Sequence, residues 1–592
     1  MNLILAPNPL YPQEQNIHID KVAMLIGENG CGKSSILHSI FEKQLIETDH
    51  SIRLICATSG QNENFSSYFE KKLTDLRSSK DIKDIDFSCL FFTSKDVRFL
   101  ILLAFTFHKD GLVSNFIKNH DTLSENTSVN LEVTVSVPEM YVKRVASDLD
   151  IEATDPEYKS IRRRPFNQRL ELFLENINNL PNLEDLVEKE MGLKSTKVSL
   201  NNEQLFEMFD GSKEDAVKFF IEGSYNEYFF SAFNMHLHLK DGIEFSLLSD
   251  GEYQLLFILA LIDLFDHESA LFIFDEVDSH LHHKNIELLW NTLTKIKGKI
   301  LTTSHSADSI TENEFESLYV VGKGRINNEC KSQKILERLK FLSKSKVIEL
   351  EIASKLSKIC LVDHYNDWII FEMLARKKGL DWDSYLAEIN PIAKSSGYSS
   401  IADRFGSSKI RWVEDLKNMK DYIRACKAEQ YGKAQVLHPN KITNIFLICD
   451  RDELPNANID SRSGVKVTGV DYKEKFDIGM PCPEIINNFL LTWKRKEIKN
   501  YLISYTALMQ HNLLSRINND QIAKRNHLKP NDPSDNDDIR HINAKSIINP
   551  LINTDGVGLD RQKLQDYVDL IPPEEISEDI ANMFEFIKEN LT

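Results

Sequence analysis

Leu248-Ser249-Asp250-Gly251-Glu252, then Leu271-Phe272-Ile273-Phe274-Asp275-Glu276, then Thr302-Thr303-Ser304-His305: the reading of these three pieces decides the fold. The first is a serine-glycine turn opening an apolar helix that runs to about Leu264. The second is an apolar strand ending in two carboxylates, and the third, with Ile300 and Leu301, is a strand ending at a histidine. Backbone N–H groups at a helix start, an acidic pair and a histidine can together bind and hydrolyse a nucleotide. What the stretch lacks is a phosphate cradle.

That cradle lies roughly 215 residues upstream. Val22–Ile26 reads as a buried strand delivering Gly27-Glu28-Asn29-Gly30-Cys31-Gly32-Lys33-Ser34-Ser35, which fits GxxxxGK[ST]. The glycines let N–H groups turn inward around phosphate oxygens, Lys33 reaches the outer phosphates and Ser34 completes a Mg²⁺ shell. Ile36–Phe41 follows as a helix whose N-terminus points at the phosphates. The candidate nucleotide-binding residues are therefore Gly27, Asn29, Gly30, Gly32, Lys33, Ser34 and Ser35, with Ser249 and Gly251 as a γ-phosphate site. Asp275, at a strand end, is placed to hold Mg²⁺ with Ser34, and Glu276 to orient or deprotonate the attacking water. ATP and Mg²⁺ are the expected ligands.

Leu248-Ser249-Asp250-Gly251-Glu252 resembles the LSxGE signature of ABC-type ATPases. In that family the signature meets nucleotide held by another protomer, which implies a homodimer or higher oligomer. The resemblance also implies a metal- and water-sensing role for Gln61, after the strand Arg53–Thr58. It implies a dimer-contact loop at Asp278-Ser279-His280-Leu281-His282 and a γ-phosphate-sensing switch at His305. His280, His282 and His283, and the alternating pair His236 and His238, offer a competing metal reading, but the first set lies in a loop that already has a role and the pair shows no third ligand. The gap between the ATPase halves has no sustained heptads, which excludes the structural-maintenance type. The chain has no run of 18 apolar residues, which argues against a membrane span and a transporter.

Residues 1–325 are expected to form this ATPase, interrupted at about 143–232 by a helical insertion that is a candidate for dimerisation. Lys159, Arg162-Arg163-Arg164 and Arg169 in it are either a solvated face or a nucleic-acid contact. Val129–Val137 alternates as a half-buried antiparallel strand. Met235–Leu239 and Ile243–Phe245 read as a hairpin turning at Asp241-Gly242. Residues 326–357 read as a helical connector.

In the second half, Ile359–Val362 is an apolar strand ending in Asp363, with Asp367 one helical turn on. Ile445–Cys449 is a second strand, ending in Asp450-Arg451-Asp452. Carboxylates at the carboxyl ends of neighbouring parallel strands converge in one crevice and can hold one or two Mg²⁺ or Mn²⁺. This frame resembles the Toprim domain. Together with a Walker B segment of the form DE-x-x-x-H-L-H, it makes the chain similar to the overcoming-lysogenisation-defect (OLD) nucleases. Trp493-Lys494-Arg495-Lys496-Glu497-Ile498-Lys499-Asn500-Tyr501-Leu502 resembles their R-x-E-I-E-N-Y-L segment. Ala544-Lys545-Ser546-Ile547-Ile548 resembles their G-K-x-x-L segment, whose lysine can neutralise phosphate charge in the transition state. Asp363 stands where that family carries Glu, about 1.5 Å shorter by one C–C bond. Lys499 stands where it carries a second Glu. Glu497 would be turned away by about 200° if the segment were helical. Lys494, Arg495, Lys496 and Lys499 read as a basic patch beside the acidic crevice.

The fold expected is thus α/β and multidomain: an ABC-type P-loop ATPase with a helical insertion, then a Toprim domain over 358–515 completed by an extension over 516–592. The net charge of −19 excludes a chain coated in nucleic acid but not a local basic groove. Scattered cysteines without CxxC pairs and the lack of a leader pattern point to the cytoplasm. The resemblance implies an ATP-dependent, metal-dependent DNA endonuclease of anti-phage defence. Its expected catalytic residues are Glu276, His305, Asp363, Asp450, Asp452 and Lys545, with Asp363, Asp367, Asp450 and Asp452 holding the metal. Its implied partners are DNA, a second copy of itself, and a reverse transcriptase with its RNA–DNA product or another defence protein. The competing reading is an ATP-switched DNA- or partner-binding protein whose second domain does not cut.

Overall fold

The computed structural model divides the chain into two compact units, Met1–Asn328 and Glu329–Thr592. The described residues are 1–47, 51–58, 63–78, 84–119, 129–155, 163–177, 180–225, 229–230, 235–239, 245, 248–279, 281–327, 331–343, 346–396, 405–431, 442–451, 454–468, 485–518, 528–535, 537–554 and 558–591. Gln61, Lys159, Arg162, the Asp241-Gly242 turn, His280 and Asp452 lie outside them.

In the first unit Val22–Ile26, Cys89–Phe92 and Ala270–Asp275 are buried along their whole length. Strands buried on both faces belong in a parallel sheet covered by helices. They join a seven-stranded sheet in the order Arg325–Ile326, Leu318–Gly322, Val22–Ile26, Lys299–Thr303, Ala270–Asp275, Arg53–Thr58, Cys89–Phe92. Every pairing is parallel except the hairpin of Leu318–Gly322 with Arg325–Ile326. Thr303 lies level with Leu25, and Thr302 level with Phe274. Three strand ends distant in sequence therefore bring Gly27, Asp275 and Ser304 to one edge. Helices Asp250–Phe265 and Val97–Phe107 are buried on nearly all sides and pack on each other, as core helices do. Among the described residues no single helix is long and apolar enough to cross a membrane.

The expected helical insertion is only partly helical. Glu139–Thr154, Pro165–Asn176, Leu183–Glu188, Asn202–Met208 and Lys213–Ser224 are helices. Leu193–Asn201, however, is a strand running antiparallel along Val129–Val137. His236–Leu239 pairs with the other edge of Val129–Val137. The strand was hidden because it is an edge: only Val198 and Leu200 are buried, and apart from Leu193 polar residues fill the remaining positions. Phe173, Phe219, Phe220 and Phe230 interlock at ring-centroid distances of 5.1–5.8 Å and bind these helices to the sheet. Arg169 is no surface contact: it is buried and ion-paired with Asp84 at 2.7 Å and Asp215 at 2.8 Å. Arg163 pairs with Glu152 at 2.9 Å.

The second unit is built on a four-stranded, all-parallel sheet in the order Asn390–Ala393, Lys358–Val362, Ile442–Cys449, Ile485–Thr492. The chain leaves Lys358–Val362 to one side for Asn390–Ala393 and returns to its other side for Ile442–Cys449. This reversal opens a crevice at the carboxyl ends of Lys358–Val362 and Ile442–Cys449, and Asp363 and Asp450 follow those ends. Helices Lys331–Ser343 and Lys346–Lys355, expected as a connector, belong to this unit and pack on Asn390–Ala393 and Ser407–Tyr431. Helices Lys545–Ile552, Arg561–Asp569 and Glu578–Glu589 share one core with Trp368, Phe371 and Trp493.

Candidate nucleotide site and acidic centre

The P-loop keeps its shape because few side chains would fit. A Cβ on Gly27 would lie 2.6 Å from the Val321 carbonyl oxygen. Gly32 has φ +98°, and its Cβ would lie 2.8 Å from the Gly324 backbone. The backing is a tight turn in which Lys323 and Gly324 both have positive φ. Gly324 N–H donates to the Cys31 carbonyl at 2.7 Å, and Asn8 Nδ2 and Gln15 Nε2 clamp the Gly324 carbonyl at 2.9 and 3.0 Å. Sequence reading missed this clasp, whose one local signal is Gly322-Lys323-Gly324.

Inside the loop the buried Lys33 ammonium donates to the Gly27 and Glu28 carbonyls at 3.1 and 3.0 Å, spanning the cradle. Ser34 Oγ donates to Asp275 Oδ1 at 3.2 Å. Thr303 Oγ1 donates to that same oxygen at 2.6 Å and accepts the Glu276 N–H at 2.9 Å. Thr303, not singled out in the sequence, therefore locks the acidic pair to the neighbouring strand. Asn29 is exposed on the loop, and Ser35 lies in the first turn of helix Lys33–Glu47.

Glu276 has φ +55°, the left-handed region, which costs a residue with a Cβ about 1–2 kcal/mol. Its Oε1 lies 2.9 Å from His305 Nε2, so the expected base and switch residues meet. Burial, then the Asp275 charge, raises the Glu276 carboxyl above the usual range against the pull of Lys33. A more basic carboxylate is a better proton acceptor. Asp278, expected in a dimer-contact loop, is buried and holds the Ser304 hydroxyl. Its carboxylate is consumed internally.

Ser249 caps helix Asp250–Phe265: its hydroxyl donates to Glu252 Oε2 at 2.6 Å and accepts the Glu252 N–H at 3.3 Å. Ser249 is exposed, and Gly251 is buried beside it.

At the second crevice Asp363 is saturated. Its Oδ1 accepts the Ser396 N–H at 2.6 Å and the Ser396 hydroxyl at 2.8 Å. Its Oδ2 accepts Lys409 Nζ at 2.9 Å and the Asp450 N–H at 3.0 Å. Lys409 is fully buried, and its ammonium also donates to Ser396 Oγ at 3.1 Å and to the Ile448 carbonyl. Neither Lys409 nor Ser396 stood out in the sequence.

The Asp450 carboxylate, by contrast, accepts no hydrogen bond among the described residues. Burial, then the charges of Asp367, Asp363 and Glu497, push its carboxyl up to about 8. Asp367 accepts the His364 N–H at 2.7 Å as part of a helix cap, and burial pushes it up to about 6. Residues 493–497 are not helical, and a short 3₁₀ turn begins only at Ile498. Glu497 is therefore not rotated away: it is buried, its charge acts on Asp450, and its Oε2 lies 2.6 Å from Lys545 Nζ. Lys499 donates to Asn549 Oδ1 at 2.8 Å, and burial lowers its pKa. Among the described residues no group of three His, Cys, Asp or Glu side chains is arranged to hold a metal ion.

The expected basic patch is dispersed. Arg495 is buried and donates to the Asn500 and Pro533 carbonyls at 2.8 and 2.7 Å and to Asp535 at 2.9 Å. Lys494 pairs with Asp579 at 3.0 Å, which leaves Lys496 as the exposed member. Arg451 is buried too, donating to the Leu454 and Lys494 carbonyls at 3.0 and 2.6 Å. It pins the turn that carries Asp450.

Residues 22–311 match the protein-family model described as "AAA domain, putative AbiEii toxin, Type IV TA system". An AAA-type ATPase domain of toxin–antitoxin or abortive-infection type is thus present, and it implies ATP with Mg²⁺ as ligands. No curated protein matches the chain.

Proposed function

We propose that this protein is an ATP-dependent endodeoxyribonuclease of the OLD type, an anti-phage effector in which ATP turnover gates cleavage at the acidic centre. ATP would lie on Gly27, Asn29, Gly30, Gly32, Lys33, Ser34 and Ser35. The Ser249 and Gly251 turn of a second copy would meet its γ-phosphate, which calls for a homodimer. The hydroxyl of Ser34 and the carboxylate of Asp275, 3.2 Å apart, fit a shared Mg²⁺. Glu276 takes the proton of the attacking water, and His305, on its carboxylate, holds it in place.

The observation that carries the nuclease reading is Asp450. Burial, and then the neighbouring charges of Asp367, Asp363 and Glu497, push its carboxyl up to about 8. That environment fits a bound cation, whereas Asp363, closed by Lys409 and Ser396, does not. Asp450 would meet one Mg²⁺ or Mn²⁺; the described carboxylates around it do not by themselves form a three-ligand set, so Asp452, outside the described residues, is the further ligand this reading calls for. When bound, such an ion would polarise a phosphodiester and lower the pKa of a water. Lys545 and Lys499 would offset phosphate charge on DNA, with exposed Lys496 steering the strand. The setting proposed is the cytoplasm, beside a reverse transcriptase with its RNA–DNA product or another defence protein.

Purified protein incubated with supercoiled plasmid and Mg²⁺ or Mn²⁺, with and without ATP, tests this. Nicking or linearisation that Asp450→Ala abolishes while ATP hydrolysis persists is the expected result. The closed Asp363 favours the second reading, an ATP-switched DNA- or partner-binding protein. Intact ATP hydrolysis and DNA binding without cleavage under any metal would establish it.

A further inference from the structure

We propose that Lys409 is a built-in counter-cation: its ammonium takes at Asp363 the place a second divalent ion would have, so Asp363 positions Asp450 and ligates no metal. The inference deepens the reading of the acidic centre given above and limits that centre to one ion.

The hydrogen-bond valences close on both sides. An ammonium has three donors, and those of Lys409 go to Asp363 Oδ2, Ser396 Oγ and the Ile448 carbonyl, with Cys449 Sγ a fourth, weaker acceptor at 3.8 Å. A carboxylate offers about four lone-pair sites, and Asp363 fills them with the Ser396 N–H, the Ser396 hydroxyl, Lys409 and the Asp450 N–H. The Lys409 side chain has no exposed surface, so it cannot swing out to make room. A divalent ion at Asp363 would have to displace these donors and would put its charge next to a buried ammonium. Both are unfavourable beside an ammonium that is itself shut off from water.

The arrangement also has a direction. Asp363 ends the strand Lys358–Val362, Lys409 sits in helix Ser407–Tyr431, and Ser396 follows the strand Asn390–Ala393. Lys409 and Ser396 hold the Asp363 carboxylate, and its Oδ2 accepts the Asp450 N–H, which fixes the backbone that presents the Asp450 carboxylate. Lys409 and Asp363 are thus positioning residues. The shorter Asp363, where the OLD-type pattern has Glu, fits a side chain that reaches a neighbouring backbone instead of an ion.

Mn²⁺ binding followed by electron paramagnetic resonance, on the full chain without nucleotide and with Asp275→Asn to silence the ATPase site, tests this. The wild-type centre should take no more than one Mn²⁺ per chain. The paired variant Asp363→Asn with Lys409→Met, which removes both charges together and so avoids a lone buried charge, should keep that stoichiometry and its affinity within about three-fold. The single variant Lys409→Met should gain one Mn²⁺, and Mn²⁺ should raise its unfolding midpoint by more than that of the paired variant. Two ions in the wild type, or loss of an ion in the paired variant, would overturn the inference. If the wild type binds none and cuts no DNA while Lys409→Met gains an ion, the nuclease reading falls and this one stands.

Discussion

Asp450→Asn should make the metal-free second unit more stable at neutral pH, although it removes the residue on which cleavage is proposed to depend. In the folded chain the Asp450 carboxyl is pushed up to about 8 from an ordinary 3.8, by burial first and then by Asp367, Asp363 and Glu497. Below the ordinary value both folded and unfolded chains hold the proton, so the residue costs nothing. As pH rises the unfolded chain releases its proton first and gains relative to the folded one, until pH passes the folded value. Stability is therefore lost across the window from about 4 to 8. At pH 7 the loss is about 4 kcal/mol, from about three pH units at 1.36 kcal/mol each. Asparagine keeps the shape and has no proton to lose. Trp368, Trp382, Trp412 and Trp493 all lie in this unit, so tryptophan fluorescence during urea unfolding in EDTA reports it. The variant's advantage should grow by about 1.4 kcal/mol per pH unit between pH 5 and 7. Parallel stability curves for the two proteins would refute the reasoning, because Asp450 would then titrate normally.

Glu276→Gln should bind ATP but hydrolyse it 10²–10⁴-fold more slowly, by the usual worth of a general base, in a steady-state phosphate-release assay. Thr303→Val removes one hydrogen bond to Asp275 and one from the Glu276 N–H. ATP hydrolysis should fall by about one to two orders of magnitude with nucleotide affinity nearly kept, at about 1–3 kcal/mol for the unsatisfied groups. Arg495→Met strands the Asn500 and Pro533 carbonyls and Asp535, and should destabilise the second unit by about 3–5 kcal/mol in urea melts. Lys496→Glu should leave stability alone and weaken DNA binding, with a shallower salt dependence in fluorescence anisotropy.

Long apolar runs and backbone-dictated motifs were legible in the sequence. Val22–Ile26 and Ala270–Asp275 could be read as buried parallel strands because polar residues are absent from them until the strand ends. The P-loop could be read because glycine spacing reports on backbone geometry directly. Features set by distant partners were not legible. Lys409 stands in a charged helix and looks like any solvated lysine, and only the fold shows that Asp363, Ser396 and Ile448 converge on it. Arg495 looked like part of a basic patch, but its neighbours in space are carbonyls from residues 500 and 533. Glu497 was set aside on the premise of a helix, and the irregular backbone over 493–497 restores it to the centre. The polar edge strand Leu193–Asn201 lacked the alternation that would have marked it.

The two sites solve one electrostatic problem in the same way. In each, two carboxylates must be held close at a sheet edge although their charges repel. In the first unit Asp275 is gripped by Ser34 and Thr303, and Glu276 beside it is left with a raised pKa. In the second, Asp363 is gripped by Ser396 and Lys409, and Asp450 beside it is left with a raised pKa. In each, the gripped carboxylate stands beside a neighbour whose carboxyl burial raises. The grips differ in kind. At Asp275 the grip is through two neutral hydroxyls, those of Ser34 and Thr303. At Asp363 it includes a buried ammonium, and on the reading proposed above a cation would meet Asp450 instead.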